Sequence, residues 1–265
     1  MSRTRVIKLG GELIDETLKL KQVARQIRVA AESRPVVVVH GGGQSVTQQA
    51  AKLGLKKQTV DGLRITDAET MEVVLGVLAG CVNTRLVATL TSMGLRAVGL
   101  TGADDSTVTV RRAQRYQSVD GDKIDLGFVG IPKGSDKTPK LLKNLAASGY
   151  IPVIASIGSN RKGELFNVNA DTFSADLAVR LGASWLTIAG TTSGVLDRNG
   201  KTISSVDDKM LMQLIKNRQA NAGMVAKLLA CRTAKHGGVK RIEIVDGRSR
   251  NALNKTIGSN KTTIR

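Results

Sequence analysis

Hydrophobic residues along the chain alternate between short runs rich in branched side chains and longer stretches in which they recur at helical spacing. The short runs predict β-strands and the longer stretches predict helices, because the two spacings match the two backbone geometries. The predicted strands cover residues 5–9, 35–39, 96–100, 151–155, 185–189 and 240–245. The predicted helices cover residues 18–33, 44–53, 68–91, 139–148, 170–181, 207–216 and 224–236.

The predicted strands are apolar along most of their length, as in the run of valines from Val36 to Val39. A strand without polar alternation is buried on both faces, which is typical of a mainly parallel sheet with helices on each side. We therefore expect an α/β fold, arranged as a three-layer αβα sandwich. Two segments, 56–65 and 107–129, mix polar and apolar residues with glycine and predict β-hairpins that lie over the sheet as lids.

Composition restricts the core and the compartment. One Trp, two Tyr and three Phe are the aromatic residues, so the core must be built mainly from Val, Leu, Ile and Ala. No apolar signal sequence follows Met1, and we expect no membrane span because no run approaches about 18 apolar residues. Cys81 and Cys231 are too few for a disulfide framework and are predicted to be buried free thiols. These features predict a cytoplasmic protein without a membrane partner.

The chain is strongly basic, with 40 Lys and Arg against 22 Asp and Glu and a net charge of +18. The basic residues are spread from Arg3 to Arg265 rather than gathered in a tail, and few aromatic residues accompany them for stacking on bases. We therefore expect no nucleic-acid partner. Dispersed positive charge favours an anionic small-molecule ligand instead.

Two glycine-rich turns follow predicted strands. Lys8-Leu9-Gly10-Gly11 places a lysine beside bare backbone N–H groups, which suits a phosphate, although Gly-Gly is also common in plain tight turns. His40-Gly41-Gly42-Gly43 joins a buried strand to a helix, at the strand end where ligands of parallel sheets bind. Three successive glycines predict a close approach of a ligand to the backbone, with His40 as an orienting residue rather than a catalyst.

Polar residues mark three further junctions. Arg64 ends the first predicted hairpin, where it either lies at the surface or grips a substrate carboxylate, and Thr66 or Asp67 caps the next helix. The segment from Asn167 to Asp171 precedes another helix, and its amides and carboxylate either cap that helix or bind polar ligand groups and orient lysines. Lys227 lies one turn into a helix that opens with a glycine turn, and it faces either water or a bound phosphate.

The order of these motifs resembles that of the acetylglutamate kinases within the amino acid kinase family. The resemblance runs from about residue 6 to residue 247 and includes the helical stretch 68–99. Its motifs are Lys8-Leu9-Gly10-Gly11, His40-Gly41-Gly42-Gly43, the segment from Val60 to Asp67, the segment from Asn167 to Asp171 and the segment from Gly223 to Lys227.

The resemblance implies a role for each matching residue. Lys8 and Lys227 match the lysines that stabilise the phosphoryl group in flight, and Asp171 matches the carboxylate that orients them. The implied acceptor-binding residues are Gly42, Gly43, Arg64 and Asn167. The implied nucleotide-binding residues are Gly10, Gly11, Thr191, Gly194, Gly223 and Met224. No residue is assigned to a metal.

The resemblance further implies that ATP is the co-substrate, that Mg²⁺ is held mainly by its phosphates, and that N-acetyl-L-glutamate is the acceptor, as in arginine biosynthesis. The motifs agree with such a reaction, because a carboxylate acceptor is ionised at neutral pH and needs no general base. Residues 1–158 are expected to form the acceptor lobe with the dimer interface, and residues 159–265 the nucleotide lobe, in one continuous compact unit.

Three departures from the family's pattern bear on these expectations. The segment from Ala189 to Val195 lacks the acidic residue that is usual just before the Ser/Pro-Gly-Val turn, and Ala222 stands where a second glycine is common. Both departures lie on the nucleotide side. The arginine-inhibited members also carry an extra N-terminal helix before the first strand. Since the chain begins at that strand and the apolar helix 71–90 suits a two-fold interface, we expect a homodimer that L-arginine does not inhibit.

Two alternative functions remain open. In the first, the enzyme is a kinase for a related N-blocked acidic amino acid. This acceptor is either N-succinylglutamate, or aminoadipate or glutamate linked to a carrier protein. The positive net charge of the chain would suit an acidic carrier protein. The other alternative is a non-catalytic regulatory binding protein built on the same fold, which the nucleotide-side departures favour. Retention of Lys8, Asp171 and Lys227 argues against this second alternative.

Overall fold

The computed structural model describes residues 4–60, 63–113, 116–117, 121–134, 138–254 and 261–265. The described strands, in chain order, are β1 (Arg5–Leu9), β2 (Val36–His40), β3 (Thr59–Val60), β4 (Leu63–Arg64), β5 (Ala97–Thr101), β6 (Val110–Arg112), β7 (Tyr116–Gln117), β8 (Lys123–Ile124), β9 (Val129–Pro132), β10 (Ile151–Ala155), β11 (Ile157–Ser159), β12 (Leu165–Val168), β13 (Trp185–Gly190), β14 (Ser205–Val206), β15 (Arg241–Asp246) and β16 (Lys261–Ile264).

The described α-helices are α1 (Thr17–Ser33), α2 (Gly43–Lys52), α3 (Ala68–Val74), α4 (Asn83–Ser92), α5 (Lys140–Ala147), α6 (Ala170–Arg180), α7 (Asp208–Lys216) and α8 (Ala222–His236). A π-helical stretch, Leu75–Val82, joins α3 to α4, and short 3₁₀ turns lie at Gly11–Leu13 and Asp104–Ser106. Every helix and main strand predicted from the pattern is therefore present, with ends that differ by one or two residues.

The central sheet has eight strands in the order β14-β16-β15-β13-β1-β2-β10-β5. The six strands from β15 to β5 run parallel, whereas β16 runs antiparallel to β15 and brings β14 with it. Both faces are covered. Val6 on β1 packs in the core that contains α5 to α8, and its neighbour Ile7 packs in the core that contains α1 to α4. The predicted three-layer sandwich with a mainly parallel sheet is thus confirmed.

The predicted lids are present but are more elaborate than two hairpins. The first is the antiparallel pair β3–β4, whose tip, Asp61 and Gly62, lies outside the described residues. In the second, β6 pairs with β9, and β9 continues into a four-stranded sheet with β11 and β12. Sequence analysis did not predict β11, β12, β14 or β16.

The helical stretch Ala68–Ser92 is half-buried, with its inner face in the core and its outer face exposed. By length and composition this helix could cross a membrane, so the prediction that no segment has this character is wrong, although a core helix has the same properties. Cys81 lies on the outer face and is exposed, which corrects its predicted burial. A helix that is apolar all round does not reveal which side meets solvent. Cys231 is a buried free thiol as predicted.

Candidate active site

The predicted chemical residues converge on one cavity of about 380 Å³ at the carboxyl ends of the central parallel strands. Such strand ends are the usual ligand site of parallel sheets, because loops and helix N-termini meet there. The predicted residues that line the cavity are Lys8, Gly10, Gly11, Gly42, Gly43, Arg64, Asn167, Asp171 and Lys227. The sequence places these residues far apart, and the sheet order brings them together.

Two lysines meet on one buried carboxylate at the base of this cavity. Lys8 Nζ on β1 lies 2.8 Å from Asp171 Oδ1, and Lys227 Nζ on α8 lies 3.6 Å from Asp171 Oδ2. The side chains of Lys8 and Asp171 are 8% and 6% exposed, whereas that of Lys227 is 21% exposed. The carboxylate therefore holds the two ammonium groups side by side, with Lys227 the more open to a ligand.

The local sequence explains why Asp171 is held so firmly. It lies in the first turn of α6, where the Asn169 side chain accepts hydrogen bonds from the backbone N–H groups of Asp171 and Thr172. Burial raises the pKa of Asp171, but the charges of Lys8 and Lys227 outweigh burial and hold the pKa below its ordinary value. Asp171 is therefore ionised at neutral pH, and it orients the lysines rather than accepting protons.

Two glycine turns contact each other at the centre of the cavity. A Cβ atom on Gly11 would lie 3.0 Å from Gly42 Cα, and one on Gly42 would lie 2.8 Å from Leu78 Cδ2. Side chains cannot be accommodated there without movement of the neighbours. The consequence is a bare backbone at the N-terminus of α2, which begins at Gly43 and presents unpaired N–H groups to an anion.

Arg64 and Asn167 also line the cavity. Arg64 Nη2 donates to Gly43 O at 3.0 Å and also contacts Thr47 Oγ1, so the guanidinium is held against the start of α2. Asn167 Nδ2 donates to Thr66 Oγ1 at 3.3 Å. Both side chains have further N–H donors, and the planar fork of Arg64 matches the geometry of a carboxylate ligand.

The hairpin that carries Arg64 is fixed by the helix that follows it. Asp67 is the N-cap of α3, and its carboxylate accepts from Thr70 N at 2.8 Å. Of the two predicted caps, Thr66 and Asp67, the structure therefore selects Asp67.

His40 is buried behind the glycine turns, and its contacts fix its tautomer. Asn83 Nδ2 lies 3.0 Å from His40 Nε2 and 2.9 Å from Val153 O, so the amide donates to both. His40 Nδ1, 2.9 Å from Gly41 O, then carries the proton. Burial lowers the pKa of His40 to about 4, which makes it a neutral orienting residue at physiological pH. The predicted orienting role therefore agrees with the geometry.

This neutral histidine should make the fold sensitive to mild acid. Because its pKa falls from 6.5 to about 4 on folding, the unfolded chain binds more protons between these values, and stability decreases as pH falls through that window. We expect a loss of about 2 kcal/mol between roughly pH 7 and pH 5. Urea unfolding at both pH values should show it in the wild type and in the exposed-histidine control His236→Gln. An equal loss in His40→Gln would contradict this origin.

Of the six predicted nucleotide-binding residues, Gly10 and Gly11 line the cavity, and the other four do not. Gly223 and Met224 lie in the first turn of α8, about one turn before Lys227, and Asn221 caps this helix by accepting from Met224 N at 2.9 Å. Thr191 and Gly194 follow β13 but do not line the cavity. Gly194 has φ 111°, and a Cβ atom there would lie 2.4 Å from Thr262 Oγ1. This glycine is therefore required by packing, and a role in nucleotide binding stays a prediction.

Sequence analysis missed four polar residues that line the cavity, namely Glu12, Lys57, Thr59 and Ser156. Ser156 follows the last residue of β10, so the rule that ligands bind beyond parallel strand ends was sufficient to find it. Glu12 follows the Gly10-Gly11 turn, where a titratable side chain next to a phosphate motif was a usable signal. Lys57 and Thr59 belong to the lid, and no local pattern marks them.

Comparisons with known proteins point to one family. A family model described as Amino acid kinase family matches residues 3–246. The acetylglutamate kinase of Parvibaculum lavamentivorans is 38% identical over 259 residues, 95% of this chain and 84% of the relative. The acetylglutamate kinase of Rhodopseudomonas palustris is 40% identical over 267 residues, 98% of this chain and 88% of the relative. Among solved structures, smu.665 from Streptococcus mutans UA159 is similar in fold, with a TM-score of 0.82 at 24% identity over 100% of this chain and 99% of that one.

Proposed function

The chain belongs to the amino acid kinase family, and from this membership we propose that it transfers the γ-phosphoryl group of ATP to the side-chain carboxylate of N-acetyl-L-glutamate. The product is an acyl phosphate, and the reaction is a step of arginine biosynthesis. The observation that carries the proposal is the meeting of Lys8 and Lys227 on Asp171, in a chain 38% to 40% identical to acetylglutamate kinases over nearly its whole length.

The chemistry requires alignment and charge neutralisation rather than a base. An acceptor carboxylate is already ionised at neutral pH, and the transferred phosphoryl group spreads negative charge over its equatorial oxygens. Lys8 and Lys227 would supply two positive charges to those oxygens, and the proposal is supported by Asp171, which holds both ammonium groups side by side. Mg²⁺ bound to the nucleotide phosphates would add further neutralisation.

The acceptor is proposed to bind between the lid and the glycine turns. Arg64 supplies a guanidinium already oriented by Gly43 O, and Asn167 supplies an amide from the end of β12. The free N–H groups of the first turn of α2 add partial positive charge on the same side. A dicarboxylate with one amide therefore finds charge-assisted and neutral donors, with one carboxylate directed towards the lysines.

A coupled assay of ADP release across several acceptors tests this function. We expect turnover with N-acetyl-L-glutamate and little with N-succinyl-L-glutamate or N-acetyl-L-aminoadipate. Preference for one of the latter would move the assignment to a related N-blocked acid. The absence of ADP release with every acceptor, in a protein that binds ATP, would support a regulatory binding protein instead.

We further propose that the enzyme is a cytoplasmic homodimer. The outer face of the helical stretch Ala68–Ser92 is exposed and includes Gly76, Gly80 and Cys81, and β5 beside it is the edge of the central sheet. An exposed apolar helix next to an unpaired strand edge is typical of an interface, because both are otherwise left open to water. Pairing of two copies across this face would extend the sheet.

This interface predicts a dimer that high salt does not dissociate. Two subunits of net charge +18 repel each other, so screening should preserve or strengthen an apolar contact. Light scattering over a salt series should report a dimer at micromolar concentration. Gly80→Glu places a charge on the proposed interface, in space free of neighbouring atoms, and should give monomers. Gln213→Glu on α7, on the opposite side of the sheet, is the control, and a monomeric wild type would contradict the proposal.

A further inference from the structure

We propose that Glu12 is a protein ligand of the magnesium ion that accompanies the nucleotide. The inference rests on the proposed kinase function and adds a metal-binding residue to it. Glu12 lies beside the Gly10-Gly11 turn, and its carboxylate has no role in the phosphoryl transfer proposed above.

The carboxylate of Glu12 lies against Gly10, on the side of the turn that faces β13. Its Oε2 lies 2.6 Å from the point that a Cβ atom on Gly10 would occupy, and the same point is 3.4 Å from Ala189 O, near the end of β13. The next residue of β13, Gly190, would bring a Cβ atom within 3.9 Å of Lys227 Cε. Glu12 therefore stands over the ends of β1 and β13.

The neighbouring glycine faces the opposite way. A Cβ atom on Gly11 would point at Gly42, beside the start of α2 and the proposed acceptor site. The turn thus separates two sides of the cavity, with Glu12 on the side of Lys227 and Arg64 on the side of Gly42 and Gly43. In the proposed reaction the Lys227 side holds the ATP phosphates, so Glu12 faces the donor.

Among the charged residues that line the cavity, Glu12 differs from the other carboxylate, Asp171, in its lack of a cationic partner among the described residues. Four cations line this cavity, namely Lys8, Lys57, Arg64 and Lys227, and two carboxylates, Asp171 and Glu12. Asp171 is buried and occupied by two lysines. Glu12 is exposed, and no hydrogen bond or ion pair to its side chain occurs within the part of the chain that the structure describes. A carboxylate left open beside a polyphosphate repels it unless a cation lies between them.

A magnesium ion would supply the positive charge that is needed between Glu12 and the phosphates. It prefers six oxygen ligands, keeps several waters, and is usually held by one or two carboxylates together with substrate phosphates. Across the described ranges, no group of three or more His, Cys, Asp or Glu side chains is placed to hold a metal without help. One exposed carboxylate in the cavity lining therefore fits a hydrated ion that arrives with the nucleotide, and would not hold the ion alone.

The variant Glu12→Gln separates this role from a merely electrostatic one. If Glu12 binds the metal, we expect the variant to bind ADP about tenfold more weakly than the wild type in the presence of Mg²⁺. Without the metal, in EDTA, the variant should bind ADP as tightly as the wild type or more tightly, because a repelling charge has been removed. Isothermal titration calorimetry of ADP with and without Mg²⁺ measures both effects.

A matched control and a second readout complete the test. Glu16→Gln removes an exposed carboxylate that pairs with Lys19 at the start of α1, outside the cavity, and should change neither titration. Electron paramagnetic resonance of Mn²⁺ bound with ADP should differ between the wild type and Glu12→Gln. Equal or tighter binding by Glu12→Gln in Mg²⁺ would overturn the proposal. Because no acceptor is present, this failure is distinct from the loss of kinase activity with acetylglutamate that would overturn the proposed function.

Discussion

Replacing Lys8 or Lys227 with alanine should lower kcat about 100- to 1,000-fold while the KM values change far less. If each ammonium group stabilises charge that develops on the phosphoryl group in the transition state, as proposed, losing one such donor should cost about 2.7–4 kcal/mol. The measurement is steady-state kinetics with both substrates varied. Near-normal turnover in either variant would remove that lysine from the catalytic set.

The two lysine variants differ in their risk to the fold. Lys8 is buried against Asp171, and its removal leaves this buried carboxylate with only the more distant Lys227, so the loss of stability should approach the roughly 3–5 kcal/mol of a broken buried ion pair. Lys227 is more exposed and lies 3.6 Å from the carboxylate, so its removal should leave a folded protein. Lys235→Ala, on the exposed side of the same helix, provides a matched control and should retain wild-type kcat.

Replacing Arg64 with lysine should act on acceptor binding rather than on turnover. The substitution keeps the positive charge but loses the planar fork, including the contact with Gly43 O. If the guanidinium holds a carboxylate of the acceptor in both the ground state and the transition state, the acceptor KM should rise about tenfold to a hundredfold, equivalent to about 1.5–3 kcal/mol. The KM for ATP should hardly change.

Steady-state kinetics against each substrate separates these outcomes. Arg28→Lys on the exposed side of α1 makes the same chemical change away from the cavity and should leave both KM values unaltered. An unchanged acceptor KM in Arg64→Lys would assign Arg64 to the structure of the lid instead. A rise in the KM for ATP alone would show that Arg64 contacts the nucleotide, and that the two substrates bind on the opposite sides of the Gly10-Gly11 turn from those proposed.

The regular elements were predictable because most of the strands are buried on both faces. A run such as Val36–Val39 has no polar alternation. The helices between the strands have an apolar face that packs in the core against the sheet. The strands that were missed have weaker local signals. β14 has two residues, and β11 contains Gly158, which packs against Val110 with no room for a side chain. Such strands are specified by their partners, not by their own pattern.

The site was predictable where residue type and position at a strand end coincided. Lys8 and Asp171 follow that rule, and each lies beside a phosphate-compatible turn or a helix N-terminus. Glu12 and Lys57 were missed because their relevance depends on which side of a turn, or of a lid, faces the cavity. The exposure of Cys81 was missed for a similar reason, since an apolar helix does not show which face is covered.

The central claim is that an acyl phosphate forms on the side-chain carboxylate of N-acetyl-L-glutamate. Hydroxylamine attacks acyl phosphates at the acyl carbon and displaces phosphate, so it converts this product into a stable hydroxamate that mass spectrometry identifies. With ATP and N-acetyl-L-glutamate, the wild type should yield the side-chain hydroxamate in step with ADP release, and Lys227→Ala should yield about 100- to 1,000-fold less per unit time. ADP release without the hydroxamate, or no ADP release from folded protein, would contradict the account.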